Sequence, residues 1–159
     1  MNLSEDVAVL STPKFFSHSF PREKKVMPAL NFQKQFVPLI ESGKKRQTIR
    51  CRKRPIKVGD LLYLYTGQRT KNCRKIAESI CLETQHFDFR MSRSASAPII
   101  HVNHSIINIL QFHKLAIADG FKKRSEFCDF FIHSPKAIEQ GGVTSFSGQI
   151  IKWGMLCKP

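Results

Sequence analysis

The spacing of apolar residues after residue 30 predicts a short helix. Four apolar residues fall at i, i+4, i+7 and i+8 on one helical face, namely Phe32, Phe36, Leu39 and Ile40. Asn31 is predicted to cap the start of this helix, and Gly43 to end it in the left-handed conformation. Pro38 falls inside the pattern, where it removes one helical hydrogen bond and predicts a kink.

The pattern after Gly43 indicates a series of strands and two further helices. Strands are predicted at Gln47–Cys51, Asp60–Thr66, Lys75–Glu83, Phe87–Arg90, Ile99–Ile109 and Ser145–Met155. Helices are predicted at Leu110–Ala118 and Ser125–His133, separated by a break at Gly120 and Phe121. Because the helices do not alternate with the strands, an α+β fold with a small mixed β-barrel and flanking helices is favoured over a parallel doubly wound sheet.

Length and composition indicate one domain preceded by an N-terminal tail or extension. Residues 27–159 are expected to form the domain, and the Ser- and Pro-containing residues 1–26 are expected to be a loosely ordered tail or an extension before a natural start at Met27. No apolar run reaches the length of a membrane span, and residues 1–26 lack the apolar core of a secretory signal. A cytoplasmic protein is therefore expected.

Cysteine and histidine spacing predicts neither a disulfide framework nor a metal site. The chain has five cysteines, and none of them forms a C-x-x-C pair. His101 and His104 have the spacing closest to that of a ligand pair, but in one continuous strand their rings would lie on opposite faces. No metal and no cofactor are predicted.

Positive charge is concentrated in one part of the chain. The net charge is +14, and the segment from Lys44 to Lys75 holds twelve Lys or Arg and a single acid, Asp60. Such a local concentration favours a polyanion or a phosphate as partner. Membrane binding is disfavoured, because these cations do not lie on an apolar-faced helix.

Within this segment, residues 43–50 combine groups suited to a phosphate. Strand alternation predicts that Arg46, Thr48 and Arg50 share one face, while Ile49 points toward the core. Lys45, before the strand, is free to turn to either side. The guanidinium, ammonium and hydroxyl together can hold a phosphate or a polar base edge. The alternative for each cation is a solvated surface position.

A second basic segment follows the next predicted strand. Tyr63 and Tyr65 share a face of that strand, and Arg69 and Lys71 come just after it. A tyrosine beside cations can stack on an unpaired base while the cations hold the backbone. Core packing is the alternative role for both tyrosines.

Together these motifs resemble the ASCH domain of the PUA-like superfamily. The resemblance rests on Gly43-x-Lys45-x-x-Thr48-x-Arg50, Val58-Gly59-Asp60, Tyr65-Thr66-Gly67-x-Arg69-Thr70-Lys71, Ala118-Asp119-Gly120-Phe121, Glu126-Phe127 and a final apolar strand near Trp153. It covers residues 29–153 and implies a PUA-like β-barrel with a cleft lined by the first motif. By this resemblance, the expected ligands are RNA or modified nucleosides and nucleotides.

The resemblance leaves binding and catalysis open. The favoured interpretation is an RNA- or nucleotide-binding protein, with contacts from Lys44, Lys45, Arg46, Thr48, Arg50, Tyr65, Arg69 and Lys71. One branch of the family removes the acetyl group from N4-acetylcytidine, and its pattern would make Thr48 the nucleophile, Lys45 the base and Asp119, in place of the Glu expected there, the assisting acid. Other relatives are described as ribonucleases. An acidic protein partner for the basic face ranks last.

Overall fold

The structure, a computed structural model, describes residues 27–157. The predicted N-terminal tail, residues 1–26, lies outside the described residues. The strands are β1 (Ala29–Phe32), β2 (Gln47–Arg50), β3 (Leu61–Thr66), β4 (Arg74–Ser92), β5 (Ile99–Val102), β6 (Ser105–Ile106), β7 (Ile138–Gln140) and β8 (Val143–Trp153). The α-helices are α1 (Val37–Glu41), α2 (Ile109–Ala118) and α3 (Arg124–Ile132), and a 3-10 turn at Lys34–Phe36 leads into α1.

The long strand β4 organises one mixed sheet. One edge of β4 pairs antiparallel with β3 and then with β5, and its other edge pairs with β8 from Cys81 to Ser92. Strand β8 in turn pairs with β2 and β7, while β1 adds to β3 in parallel. The pairing of β4 with β8 shifts register between Cys81 and Glu83, which is a β-bulge that lets the strand bend. The sheet therefore curls into a half-barrel.

Two arginines close the gap between the ends of this sheet. Strand β1 lies at the sheet edge, and its carbonyl groups accept side-chain hydrogen bonds from the segment that contains β2. Arg50 Nη2 donates to Asn31 O at 2.7 Å, and Arg52 Nη1 donates to Ala29 O at 3.2 Å. Guanidinium groups thus replace the backbone ladder that would complete a closed barrel.

Aromatic packing holds α2 and α3 against the concave side of the sheet. Phe87 on β4 and Phe127 and Phe131 on α3 are buried, and their rings contact one another at centroid distances of 4.6–6.2 Å. Edge-to-face and tilted aromatic pairs at such distances stabilise a core beyond the burial of apolar area alone. Helix α2 begins with a capping box in which Asn108 and Gln111 bond each other's backbone amides.

The predicted α+β class, with a mixed sheet and flanking helices, is confirmed. The strands predicted at Gln47–Cys51, Asp60–Thr66 and Ser145–Met155 are observed as β2, β3 and β8 within two residues at each end. The helices predicted at Leu110–Ala118 and Ser125–His133 are observed as α2 and α3. Strand β7 was not predicted.

The predicted first helix is wrong at its start. Asn31 and Phe32 belong to β1, because their backbone pairs with Tyr65 and Thr66 of β3. The helix α1 begins only at Val37, so Pro38 lies in its first turn, where it breaks no helical hydrogen bond. The shared apolar face therefore spans a strand, a 3-10 turn and a helix.

Two other predictions on strand continuity are wrong. The separate strands predicted at Lys75–Glu83 and Phe87–Arg90 form one strand, β4, because β8 pairs with it continuously from Glu83 to Ser92 and so spans the predicted gap. The predicted strand Ile99–Ile109 is instead a hairpin, β5 and β6, followed by the first residue of α2. His104 lies in the hairpin turn, so the argument that placed His101 and His104 on opposite faces of one strand does not apply.

Within residues 27–157, no helix is long and apolar enough to cross a membrane.

Candidate functional site

The candidate site is built around a buried lysine just after α1. Gly43 adopts a positive φ of 73°, and the backbone amide of Lys45 then donates to Leu39 O at 2.9 Å. This turn directs Lys45 into the protein, where its side chain is only 2% exposed. Fully buried lysines are rare unless they are paired, so the environment of this amine decides its chemistry.

Asp119, the residue that ends α2, is the partner of Lys45. Lys45 Nζ lies 3.2 Å from Asp119 Oδ1 and also donates a hydrogen bond to the backbone carbonyl of Asp119. The next residue, Gly120, has a φ of 93°, and a Cβ there would come within 3.1 Å of the Lys45 side chain. A glycine is therefore required where the chain turns against the lysine stem.

Burial dominates the pKa values of this pair. Removal from water lowers the pKa of Lys45 from its ordinary 10.5, while the charge and hydrogen bond of Asp119 raise it and the charge of Arg50 lowers it further. Burial likewise raises the pKa of Asp119, opposed by Lys45 and Arg50. The Coulomb attraction of the pair thus works against the desolvation of both groups.

A polar cavity of about 230 Å³ adjoins the ion pair. Its polar lining includes Lys45, Thr48, Arg50 and Asp119 beside Asn31 and Gln33, and its apolar lining includes four aromatic rings: Phe32, Phe36, Phe121 and Phe130. The three residues predicted as catalytic and the predicted contact Arg50 thus line one cavity, although Asp119 is distant from the others in sequence. The cavity is smaller than the roughly 300–1,000 Å³ of sites for drug-sized ligands, so it suits a compact group.

Arg50 combines a structural contact with unused donor capacity. Its Nη2 bonds the carbonyl of Asn31, and its guanidinium carbon lies 4.9 Å from the centroid of the Phe32 ring. Its Nε is buried and has no hydrogen-bond partner among residues 27–157, as is also true of Asp119 Oδ1. Burial lowers the pKa of Arg50 as well. Among the described residues, Arg50 Nε is thus an unpaired buried donor, which is unusual for a buried polar atom, whereas Asp119 Oδ1 is ion-paired with Lys45.

A larger cleft lies beside this cavity. The cleft has a volume of about 820 Å³, and Phe36, Lys45 and Phe121 line both spaces. Two exposed lysines, Lys44 and Lys122, line the cleft only. Cations are thus available next to the small cavity without being part of it.

Other predicted contact residues lie elsewhere. Arg46 precedes β2 and is exposed, and its Nε donates to Gly43 O at 3.1 Å, so it does not line the cavity with Thr48 and Arg50. Arg69 and Lys71 are exposed in the turn between β3 and β4. Tyr65 lies half-buried on β3, opposite Lys75, and not in the core. None of these four lines the cavity, which confines the candidate site to fewer residues than predicted.

Sequence reasoning missed the aromatic lining of the cavity as part of a site. Phe36 and Phe121 make an edge-to-face pair with a centroid distance of 5.5 Å, and Phe130 contacts Phe121 at 5.4 Å. In the sequence Phe36 and Phe130 fit the spacing of a buried helical face, which has the same pattern as a ligand wall, and Phe121 falls in the break between two helices. Only the position of Phe121 next to Asp119 and Gly120 in the sequence could have indicated that its ring lines the site.

The comparisons with known proteins are sparse. No protein-family model matches the chain, and no curated protein matches it. Among solved structures, the crystal structure of ASCH from Zymomonas mobilis is similar to this chain, with a TM-score of 0.47 and 12% sequence identity. The similarity covers 82% of this chain and 68% of that chain. ASCH is also the family that the motifs of this sequence resemble.

Proposed function

We propose that the protein binds RNA or a nucleotide by holding one unpaired base in the cavity lined by Lys45, Thr48, Arg50 and Asp119. The observation that carries this proposal is that two residues lining one small cavity offer complementary groups: Arg50 Nε, a buried donor without a hydrogen-bond partner among residues 27–157, and the carboxylate of Asp119, an acceptor that is ion-paired with Lys45. A nucleobase edge presents donors and acceptors side by side and can satisfy both. A phosphate would satisfy the arginine but would be repelled by the carboxylate.

The aromatic lining supports a planar ligand. Phe36, Phe121 and Phe130 contribute rings to the cavity, and Thr48 adds a hydroxyl that can donate or accept. Stacking on an aromatic side chain contributes roughly 1–3 kcal/mol per base. An aromatic wall with a few polar groups at its end is the arrangement by which proteins read unstacked RNA bases.

The charge around the cavity supports a ligand with phosphates outside it. Lys44 and Lys122 are exposed along the adjoining cleft, and the chain as a whole carries a net charge of +14. In this division of roles, the base enters the cavity and the exposed lysines neutralise the backbone. A contribution of Arg69, Lys71 and Tyr65 requires a longer RNA, because these residues do not line the cavity.

Binding of labelled single-stranded RNA at several salt concentrations tests the proposal. We expect Thr48→Val, which removes the hydroxyl but keeps the shape, to weaken binding without changing the salt dependence. We expect Lys44→Ala to reduce the slope of log affinity against log salt by about 0.7 if one phosphate contact is lost. Lys136→Ala, an exposed lysine distant in sequence from the motif, is the matched control. Equal binding by wild type and Thr48→Val would contradict a base in the cavity.

One observation favours a second candidate, an amidohydrolase acting on a modified nucleoside. A lysine amine can act as a base near neutral pH only when its pKa is lowered, and burial lowers the pKa of Lys45. Thr48, the nucleophile implied by the family resemblance, lines the same cavity. Against this candidate, the amine donates to Asp119, and an ion-paired ammonium has no free lone pair.

Incubation with N4-acetylcytidine distinguishes the two candidates. If the protein is a hydrolase, we expect wild type to release cytidine and Thr48→Ala to lose turnover. Thr48→Ser, which restores a hydroxyl, should recover part of the activity. If the protein only binds its ligand, we expect N4-acetylcytidine to compete with RNA and to be recovered unchanged. Turnover that persists in Thr48→Ala would exclude Thr48 as nucleophile.

A further inference from the structure

A cluster of two histidines and one aspartate lies on the outer face of the sheet. Phe87 and Phe89 of β4 point into the core with 0% exposure, so His86 and Asp88, which alternate with them, face outward together. His86 Nδ1 lies 3.1 Å from Asp88 Oδ2, and the exposed fractions of the two side chains are 41% and 27%. The cluster is separate from the cavity described above.

The third member, His104, comes from the hairpin turn between β5 and β6. The turn is fastened to β4 by two hydrogen bonds, from the His86 amide to Asn103 Oδ1 and from the Asn103 amide to the His86 carbonyl, each 2.9 Å long. The His104 ring stacks on the His86 ring at a centroid distance of 4.6 Å. One donor atom from each of His86, Asp88 and His104 lies within 4.8 Å of the other two.

His104 has a left-handed backbone conformation in a hairpin turn where glycine is the preferred residue. Asn103 and His104 have φ values of 49° and 67°, so both residues of this two-residue hairpin are left-handed. Glycine is strongly preferred at the second position of such a turn, and a β-substituted residue costs about 1–2 kcal/mol there. Strain of this kind concentrates at functional positions.

We propose that His86, Asp88 and His104 form a binding site for a late first-row divalent metal ion of the zinc class. Two imidazole nitrogens and one carboxylate suit zinc, cobalt or nickel, whereas calcium and magnesium prefer oxygen ligands throughout. Three protein ligands leave positions open for water or an oxygen atom of a ligand. His101 pairs with Asp88 across the β4–β5 ladder, so its imidazole lies on the same face of the sheet, beside the three proposed ligands. His86 Nδ1 makes no hydrogen bond among residues 27–157, and its 3.1 Å approach to Asp88 Oδ2 brings two of the proposed ligand atoms together.

Titration of chelator-treated protein with Zn²⁺ and Co²⁺ tests the proposal. We expect one equivalent to bind to wild type and to raise its thermal midpoint, because a ligand that binds only the folded state stabilises it. The informative variant is His104→Gly, which removes a ligand and places the preferred residue in the turn. We expect this variant to fold. When both proteins are free of metal, it should be at least as stable as wild type, and it should bind Zn²⁺ more than about tenfold more weakly than wild type does.

His113→Ala, at an exposed histidine on α2, is the matched control and is expected to bind as wild type does. The five free cysteines can also bind zinc, and they are unchanged in all of these variants. Paramagnetic Co²⁺ is expected to broaden the ring signals of His86 and His104 and to spare that of His113. Equal zinc affinity in wild type and His104→Gly, or broadening confined to other residues, would overturn the proposal.

Discussion

Lys45 Nζ lies 3.2 Å from Asp119 Oδ1, in a pair of side chains that are 2% and 6% exposed and that are separated by 74 residues in the chain. The pair joins the turn after α1 to the end of α2. It therefore connects the cavity to the packing of a helix on the sheet, and changes at either residue should affect both stability and binding.

Removal of one partner of this pair should be more damaging than removal of both. Lys45→Met leaves a buried carboxylate without its cation, and we expect a loss of about 3–5 kcal/mol in the free energy of unfolding. The double variant Lys45→Met/Asp119→Leu should recover part of that loss, since no uncompensated charge remains. Urea denaturation of both variants measures the difference. A double variant as unstable as Lys45→Met would show that the ion pair is not the source of the effect.

The pH dependence of stability should reveal the buried amine. In Asp119→Asn the carboxylate that raises the pKa of Lys45 is gone, so burial lowers that pKa further from 10.5. Above the lowered pKa the folded protein holds a neutral amine while the unfolded chain still binds the proton. The unfolded state then binds more protons, and stability rises with pH until about 10.5.

The control for this measurement is Asp119→Asn/Lys45→Met, which lacks the amine. We expect the free energy of unfolding of Asp119→Asn, measured at a series of alkaline pH values, to increase relative to this control. Parallel curves for the two proteins would mean that the pKa of Lys45 is the same in the folded and unfolded states.

A methyl group at Gly120 should disturb the site, whereas one at Gly59 should not. The two glycines have φ values of 93° and 90°, so alanine strains the backbone similarly at both. At Gly120 the added Cβ would meet Phe36 at 3.0 Å and Lys45 at 3.1 Å, but at Gly59 nothing lies within 4 Å. We expect Gly120→Ala to be less stable than Gly59→Ala by about 1–3 kcal/mol and to lose RNA affinity. Similar unfolding curves and similar RNA binding for both variants would contradict this account.

Loss of an arginine at the sheet edge should loosen β1 alone. Arg52 donates to the carbonyl of Ala29, and Arg52→Ala removes that bond. We expect faster hydrogen exchange of the amides in β1, because local opening becomes easier while the core is untouched. The neighbouring exposed residue gives the control, Lys53→Ala, which should exchange as wild type does. Uniformly faster exchange across the sheet would instead indicate a global loss of stability.

Local patterns in the sequence were sufficient for several features. The alternation in Leu61–Thr66 predicted that Tyr63 and Tyr65 share one face, and in the structure Leu62 and Leu64 on the opposite face are buried. The capacity of Gly43 for positive φ predicted the end of the first helix, although the inward direction of Lys45 was not predicted. These features depend on neighbouring residues, for which backbone sterics and strand periodicity are enough.

Features that depend on distant partners were not predictable in the same way. Asn31 and Phe32 match a helical pattern, yet they form a strand because β3 supplies hydrogen bonds to their backbone. The distance between Lys45 and Asp119, the use of Arg50 and Arg52 to hold β1, and the approach of His104 to His86 all follow from how the sheet curls. The sequence alone determined the α+β class, the basic character and the residue types of the site. Tertiary structure decided which charges are buried together and which remain in water, because burial and long-range pairing are properties of the whole fold and not of a local segment.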